Sequence, residues 1–319
     1  MRFLFVMDPA HSMLPDKDTS FAFMEAAKER GHQCYHCLPA QVGLRGKHVT
    51  TVSAHVEVQR MAPAVKLGVY EEHPAADFDA IFIRKDPPFD AAYLALTQVL
   101  DLAEAETFVL NHPRALRDAN EKLLALHYLD FMPETIVTSQ PSDVFTFVDR
   151  VGEAVMKPLD GAGGSGVVRL SKGDKNVRAL TDLLTGEGKR LAMVQRFEPA
   201  IKEGDKRVLL LDGELLGVIR RVPQEEDFRA NIHVGGRVEA TDLTPREKEL
   251  VQAIGPSLRE RGLWFVGLDL IAEKLIEINV TSPTGIQELA RLTASRPAHK
   301  VIEFVERQAK RRGDRGQDA

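Results

Sequence analysis

Through the first part of the chain, short apolar runs alternate with stretches whose apolar positions recur every three or four residues. Arg2–Met7 reads as a strand, followed by a helix at about 18–30 and a strand at 33–38. After a less regular stretch come a strand at 79–85, a helix at 90–105 and a strand at 107–111. That alternation predicts a mostly parallel sheet covered by helices, with ligands collecting beyond the carboxyl ends of its strands. Arg84-Lys-Asp-Pro-Pro-Phe-Asp90 stands at such an end. Arg84 and Lys85 are therefore candidates to hold an anionic group; the plain alternative is a rigid polar turn stiffened by two prolines.

From about residue 122 the pattern changes. A helical 121–129 leads to a strand at 134–138, a helix near 142–150 and a strand at 153–157. A glycine-rich segment follows, then strands at 167–170 and 190–196 on either side of a helix near 175–186. Asp212-Gly213 joins two further strands, since this dipeptide favours the tight hairpin turn. Thr244-Pro-Arg-Glu247 is a capping box with proline at the first helical position, so a helix begins there and runs to about Arg261.

The helix delivers the chain to two more strands, Phe265–Ile271 and 275–280, around a short polar turn. Centring the turn on Glu273 sets Asp269 opposite Glu277 and Asn279 opposite Gly267. Alternation then puts Asp269, Glu277 and Asn279 on one face, while Leu268, Leu270, Ile276, Ile278 and Val280 point into a core. Facing carboxylates repel unless a cation lies between them, and hard oxygen donors suit magnesium or calcium rather than zinc. A solvated charged face is the alternative.

Composition narrows the classes. At 319 residues and 44% hydrophobic the chain can bury two or three cores. A net charge of −5 argues against a nucleic-acid partner, and no apolar run reaches the ~18 residues that would span a bilayer. Two cysteines in so long a chain indicate a reducing cytoplasm. They form Cys34-Tyr-His-Cys37, but within a predicted strand, where residues three apart face opposite sides and cannot act as a pair.

Gly161-Ala-Gly163-Gly164-Ser-Gly166 satisfies GxGxxG. A dinucleotide fingerprint must open a helix, whereas Val167-Val168-Arg169-Leu170 is strand-like. No GK[ST] ends the run, and no HRD or DFG occurs, which removes the Walker loop and the kinase set. What remains is a flap between two strands whose N–H groups can close over phosphates, with Lys157 just ahead of it. A purely structural turn is the alternative; the downstream hairpin favours the nucleotide reading. Gln195-Arg196-Phe197-Glu198 ends a strand where backbone groups can read an adenine edge, and Asp205 can accept from a ribose. Arg207 and Arg221 bracket the Asp212-Gly213 turn. The polar stretch 223–237, with Arg229, Asn231, Gly235, Gly236 and Arg237, reads as a lid.

Taken together, Arg84-Lys-Asp-Pro-Pro-Phe-Asp90, Leu116-Arg-Asp-Ala-Asn-Glu-Lys122, Lys157-Pro-Leu-Asp-Gly-Ala-Gly-Gly164, Pro199-Ala-Ile-Lys-Glu-Gly-Asp-Lys-Arg207, Phe265-Val-Gly-Leu-Asp269 and Glu277-Ile-Asn-Val-Thr-Ser-Pro-Thr284 resemble the bacterial glutathione synthetases, over about residues 1–305. The resemblance implies an α/β (α+β) ATP-grasp fold. Its parts would be an N-terminal domain over 1–121, a central lobe over 122–200, a C-terminal lobe over 201–307 and a frayed basic tail over 308–319. It implies the cytoplasmic ligation of γ-glutamylcysteine with glycine by ATP, a Mg2+ or Mn2+ cofactor and a homotetramer. Carried over, Lys122 and Lys157 meet ATP phosphates, Gly161, Gly163 and Gly164 form the flap, and Gln195, Arg196, Phe197 and Glu198 form the adenine hinge. Asp205 meets the ribose, Asp269, Glu277 and Asn279 bind metal, and Arg84 and Ser282 hold the dipeptide. Arg207, Arg221 and Arg237 surround the reacting groups. A dipeptide ligase or a non-catalytic nucleotide-binding protein on the same scaffold are the other readings.

Overall fold

The computed structural model describes residues 1–161, 163–223 and 237–317, with backbone alone for 313–317. Strands β1 (Arg2–Met7), β2 (Gln33–Cys37), β7 (Ala80–Arg84) and β8 (Phe108–Leu110) make the expected parallel centre in the order β2-β1-β7-β8. Helices α1 (Thr19–Glu29) and α2 (Ala91–Ala103) supply the crossovers. Strand β1 is buried throughout, as a central parallel strand covered on both faces must be. The less regular stretch is not loop. It forms β3 (Val42–Arg45), β4 (His48–Val58), β5 (Val65–Leu67) and β6 (Glu71–Pro74), an antiparallel extension on β2. In β4 polar and apolar residues alternate from Thr51 to Val58, a half-buried period the sequence reading passed over.

A second sheet has the order β11-β10-β12-β9 and is antiparallel throughout. Its strands are β9 (Thr135–Thr138), β10 (Glu153–Pro158), β11 (Val168–Ser171) and β12 (Ala192–Arg196). Between the first two sheets lie α3 (Pro113–Asp118) and a kinked 3-10 segment, Leu124–Phe131, where an α-helix was expected. Helices α4 (Pro141–Val151) and α5 (Val177–Thr185) cover one face of the second sheet around Val144, Phe147, Met156 and Val194.

The third sheet, β15-β14-β13-β16-β17, is also antiparallel. It comprises β13 (Asp205–Leu211), β14 (Glu214–Val222), β15 (Arg237–Ala240), β16 (Phe265–Ile271) and β17 (Lys274–Asn279). Asp212-Gly213 makes the predicted two-residue turn, with both residues at positive φ. Thr244 and Glu247 close the capping box of α6 (Pro245–Arg261) as read from the sequence. Helices α7 (Ile286–Thr293) and α8 (Pro297–Gln317) follow. Arg30 bonds Glu303 and Glu306 of α8, and Arg312 donates to Thr107 O at 2.6 Å. Held in this way, the segment after 308 continues as helix rather than fraying.

Asn111 fastens the first sheet to the third. Its Nδ2 donates to Phe265 O and Val280 O, both at 2.8 Å, and its Oδ1 accepts from Phe265 N at 2.9 Å. The side chain is buried, so every one of these bonds forms away from water. Asn111→Ala leaves three buried backbone groups without partners, and we expect it to cost about 2–4 kcal/mol. A urea melt unchanged from wild type would contradict this role for Asn111.

Candidate active site

The β16–β17 hairpin pairs Asp269 with Glu277 and Gly267 with Asn279, as the sequence pattern demands. The route to that register differs from the expectation. The turn is the two-residue Ala272-Glu273, both at positive φ, and a bulge after Asp269 absorbs one residue. Ile276 is the residue displaced. Instead of joining the core with Leu268, Leu270, Ile278 and Val280, it lines a cleft beside Ile271. Asp269 and Asn279 meet on the shared face, Asn279 Nδ2 lying 3.2 Å from Asp269 Oδ2.

Asp269 is only 7% exposed, so its charge must be answered locally. Arg207, its pairing partner on β13, donates to both carboxylate oxygens at 2.6 and 3.1 Å, and to Thr284 O at 3.0 Å. Arg221 on β14 stands 2.9 Å from Asp269 and grips both oxygens of Asp205, opposite it in the register. Burial pushes the Asp269 carboxyl up, but Arg207 and Arg221 outweigh it and hold the group well below the carboxylate range. Lys122 Nζ lies 3.0 Å from Glu277 Oε1 and donates to Gly161 O at 2.6 Å. Lys157 donates to Ile276 O at 3.3 Å; burial pushes its ammonium down to about 8, against the pull of Glu277.

Glu121, beside Lys122, was not singled out from the sequence. Its Oε1 accepts from Val280 N, Thr281 N and Thr281 Oγ1 at 2.8–3.0 Å, fixing the segment that follows β17. Burial and the nearby Glu277 push its carboxyl up, against those bonds.

These groups line cavities that run into one another. The first, about 910 Å³, lies between the second and third sheets, under the loop joining β10 to β11. No helix follows that loop, as expected, and Gly163, Gly164 and Gly166 take positive φ. A Cβ on Gly161 would sit 2.8 Å from Pro158, so the loop folds back on its own strand only with glycine there. Gln195, Arg196, Phe197, Glu198 and Asp205 stand on its wall with Lys122 and Lys157. The N–H groups of Arg196 and Phe197 already donate to Glu134 O and Glu153 O, so an adenine edge must be met by other groups of this hinge. Burial pushes the Glu198 carboxyl up.

The second cavity shares Gly163, Gly164, Asp269 and Glu277 with the first, and adds Arg207, Arg221 and Asn279. It shares Asp86, Ser282 and Thr284 with a third, which is walled by Arg84 and the start of α1. Arg84 is 5% exposed and donates to Ser20 Oγ and Pro283 O, both at 3.1 Å.

Two expectations do not hold. Arg237 is not brought to the cluster: its side chain is 76% exposed and pairs with Glu239. Strand parity explains it. Val238 lies opposite Arg221 and shares its face, so Arg237 must point to the other side of β15. Lys85 lines none of these three cavities; its ammonium faces Asp8 and the Asp86 carbonyl. Asp205 does reach the cavity wall, but both its oxygens accept from Arg221. The remainder of the expected lid, 224–236, lies outside the described residues.

The donor set Asp269, Glu277 and Asn279 fits a divalent cation: all three offer oxygen, two are anionic, and they share one face next to the flap. A second acidic group, Asp101, Glu104 and His112, does not read as a metal centre. Both His112 nitrogens are engaged, by Arg114 N at 3.1 Å and Glu104 at 2.7 Å, and Asp101 is paired with Arg117 at 2.9 Å.

The chain is similar to known proteins over nearly its whole length. Residues 1–117 match the prokaryotic glutathione synthetase N-terminal domain, and residues 121–294 match the prokaryotic glutathione synthetase ATP-grasp domain. A glutathione synthetase of Gloeobacter violaceus is 45% identical over 318 residues, covering 96% of both chains. One from Parasynechococcus marenigrum is 43% identical, covering 95% of this chain and 98% of its own. Among solved structures, the ATP-grasp ligase PsnB aligns with a TM-score of 0.63 at 19% identity over 96% of this chain and 98% of its own. D-cycloserine synthetase DcsG gives 0.64 at 16% over 95% and 99%. These structural likenesses establish the ATP-grasp fold, and the family matches go further: the chain belongs to the prokaryotic glutathione synthetases.

Proposed function

We propose that this ATP-dependent ligase makes glutathione by activating the cysteinyl carboxylate of γ-glutamylcysteine as an acyl phosphate. The observation that carries the reading is the middle cavity, where Arg207, Arg221 and the Asp269/Glu277/Asn279 face meet the glycine flap. ATP would lie in the first cavity, its base at Gln195, Arg196, Phe197 and Glu198 and its phosphates toward Lys122, Lys157 and the flap glycines. A cysteinyl carboxylate oxygen attacks the γ-phosphorus and ADP leaves. The neutral glycine amine then attacks the acyl carbon, and phosphate leaves carrying the proton lost from nitrogen, which gives the new amide.

Arg207 and Arg221 orient the carboxylate and offset charge that develops on the transferred group. Lys122 and Lys157 do the same from the nucleotide side, and the flap excludes water from an intermediate that would otherwise hydrolyse. When bound at Asp269, Glu277 and Asn279, Mg2+ or Mn2+ would neutralise phosphate oxygens. Arg84 and Ser282 hold the dipeptide away from the reacting end. The expected state is a cytoplasmic homotetramer; among the described residues no helix is long and apolar enough to cross a membrane.

ADP release that requires both γ-glutamylcysteine and glycine tests the reading, and release with D-alanine alone would replace it with dipeptide ligation. Glu277→Ala is expected to lower kcat by at least ~100-fold, as for loss of one transition-state stabiliser. Near-normal turnover at saturating metal would remove Glu277 from the site. Lys157 gives a pH signature. With its ammonium at about 8 in the free protein, it is largely neutral above that pH and must regain a proton to meet phosphate. ATP binding at pH 8.5 should therefore take up more than about half a proton and weaken as pH rises further. Calorimetry in buffers of different ionisation enthalpy measures this uptake; its persistence in Lys157→Met would assign the proton elsewhere.

A further inference from the structure

Glycine arrives at neutral pH with its amine protonated, and an ammonium has no lone pair with which to attack an acyl carbon. One proton must therefore leave before the new bond forms. Two acids of the middle cavity are committed elsewhere. Asp269 is held by Arg207 and Arg221, Glu277 faces Lys122 at 3.0 Å, and both belong to the cation's face. Glu121 is divided between two tasks. Its Oε1 accepts from Val280 N, Thr281 N and Thr281 Oγ1, which pins the carboxyl in one orientation. Among the described residues its Oε2 has no hydrogen-bond partner, yet it is not one of the buried orphan atoms. That oxygen keeps an open surface, and the space Glu121 borders is the middle cavity. No hydrogen bond of the Glu121 side chain goes to Asp269, Glu277 or Asn279.

A fourth cavity, of about 610 Å³, also borders Glu121. It shares Pro87, Glu121 and Thr281 with the middle cavity, so Glu121 stands where the two meet. Neither the Gln195–Glu198 hinge nor Arg84 lines it, which leaves a small third substrate an approach while nucleotide and dipeptide are bound. Asp86, the remaining acid of the middle cavity, borders the third cavity and not the fourth. The other titratable groups at this junction are Asp160, Lys122, Arg117 and the Tyr93 hydroxyl of α2, which burial pushes up and so keeps neutral.

We propose that Glu121 is the base for the acceptor amine, its Oε2 taking one proton from the glycine ammonium where the two cavities meet. The proposal rests on the ligase reading, which puts the acyl phosphate in the middle cavity. Proton transfer turns the Glu121 carboxylate into a carboxylic acid and frees the nitrogen lone pair. The lone pair forms the bond to the acyl carbon, the bond from that carbon to the phosphate oxygen breaks, and phosphate carries off the second proton. Glu121 gives its own proton to water before the next turnover. A base positioned in this way contributes about 10²–10⁴-fold.

Glu121→Gln tests this, because the amide keeps an oxygen for Val280 and Thr281 but takes up no proton. In a quenched single turnover with Mg-ATP, γ-glutamylcysteine and glycine, the variant should form acyl phosphate within about threefold of the wild-type rate. It should then accumulate that species, because amide formation falls at least ~100-fold. Hydroxylamine, largely unprotonated at neutral pH, needs no base and should discharge the acyl phosphate as the hydroxamate at similar rates in variant and wild type. A loss with hydroxylamine as large as that with glycine would overturn the proposal. So would equal slowing of acyl phosphate and amide formation, which marks a structural role, or the selective block appearing in Asp86→Asn instead. Should Glu121→Gln not fold, wild type decides alone at saturating ATP and dipeptide. Its kcat/KM for glycine should stay within about twofold over the pH unit above neutrality, and a rise of about tenfold, following the fraction of neutral amine, would overturn the proposal. Absence of ADP release by wild type with γ-glutamylcysteine and glycine would instead sink the ligase reading itself.

Discussion

Two carboxylates facing each other across adjacent strands, one of them almost wholly buried, impose the condition that the surrounding elements satisfy. Asp269 and Glu277 occupy a directly opposed pair, where like charges destabilise a sheet. The answer comes from three separate places in the chain: Arg207 on β13, Arg221 on β14 and Lys122 ahead of the second sheet. Removing Arg207 or Arg221 strands a carboxylate away from water, which in buried pairs costs about 3–5 kcal/mol; Glu277, partly exposed, depends less on Lys122. The same cations border the cavity where phosphate and carboxylate would lie. An anionic substrate arriving with its counter-cation then exchanges partners with groups already in place, and the total charge of the site hardly changes.

That condition also explains what the sequence made legible. Strand alternation and the like-charge argument were enough to put Asp269, Glu277 and Asn279 on one face. A bulge, however, has no local signature in Leu275-Ile276-Glu277, so Ile276 was assigned to the core and is found on the cleft wall. The glycine flap was legible because Val167-Val168-Arg169-Leu170 opens on two β-branched residues, the start of a strand rather than of a helix. Arg237 was misplaced for a different reason. Its position in the polar stretch suggested a role in closure, but its parity depends on pairing with Val222, a register no single strand reveals.

Long-range partners were the least visible class. Glu121 carries no periodic signal of its own, and its three bonds go to residues about 160 positions away. Glu288 would pass for an ordinary acidic residue in the first turn of a helix. Only the packing of α7 against the 15–18 loop makes it a buried acceptor. The strand-rich 42–74 stretch was missed because β3, β5 and β6 are only three or four residues long, although the alternation over Thr51–Val58 in β4 was there to be counted.

Asn111 gives this architecture a mechanical property. One carboxamide closes bonds with the entry of β16 and the exit from β17, so it rivets the parallel sheet to that hairpin beside the bonds His112 N to Gly262 O and Arg84 to Pro283 O. The cavity beside Arg84 is walled by groups already bonded to one another, so a ligand docking there would lose little ordering entropy. By contrast, the first cavity is roofed by a glycine loop that, among the described residues, is tied down by Lys122 through Gly161 O and by Asn120 through Leu159 O. Ligands of the two cavities would thus meet different walls, a bonded socket in one and a glycine cover in the other.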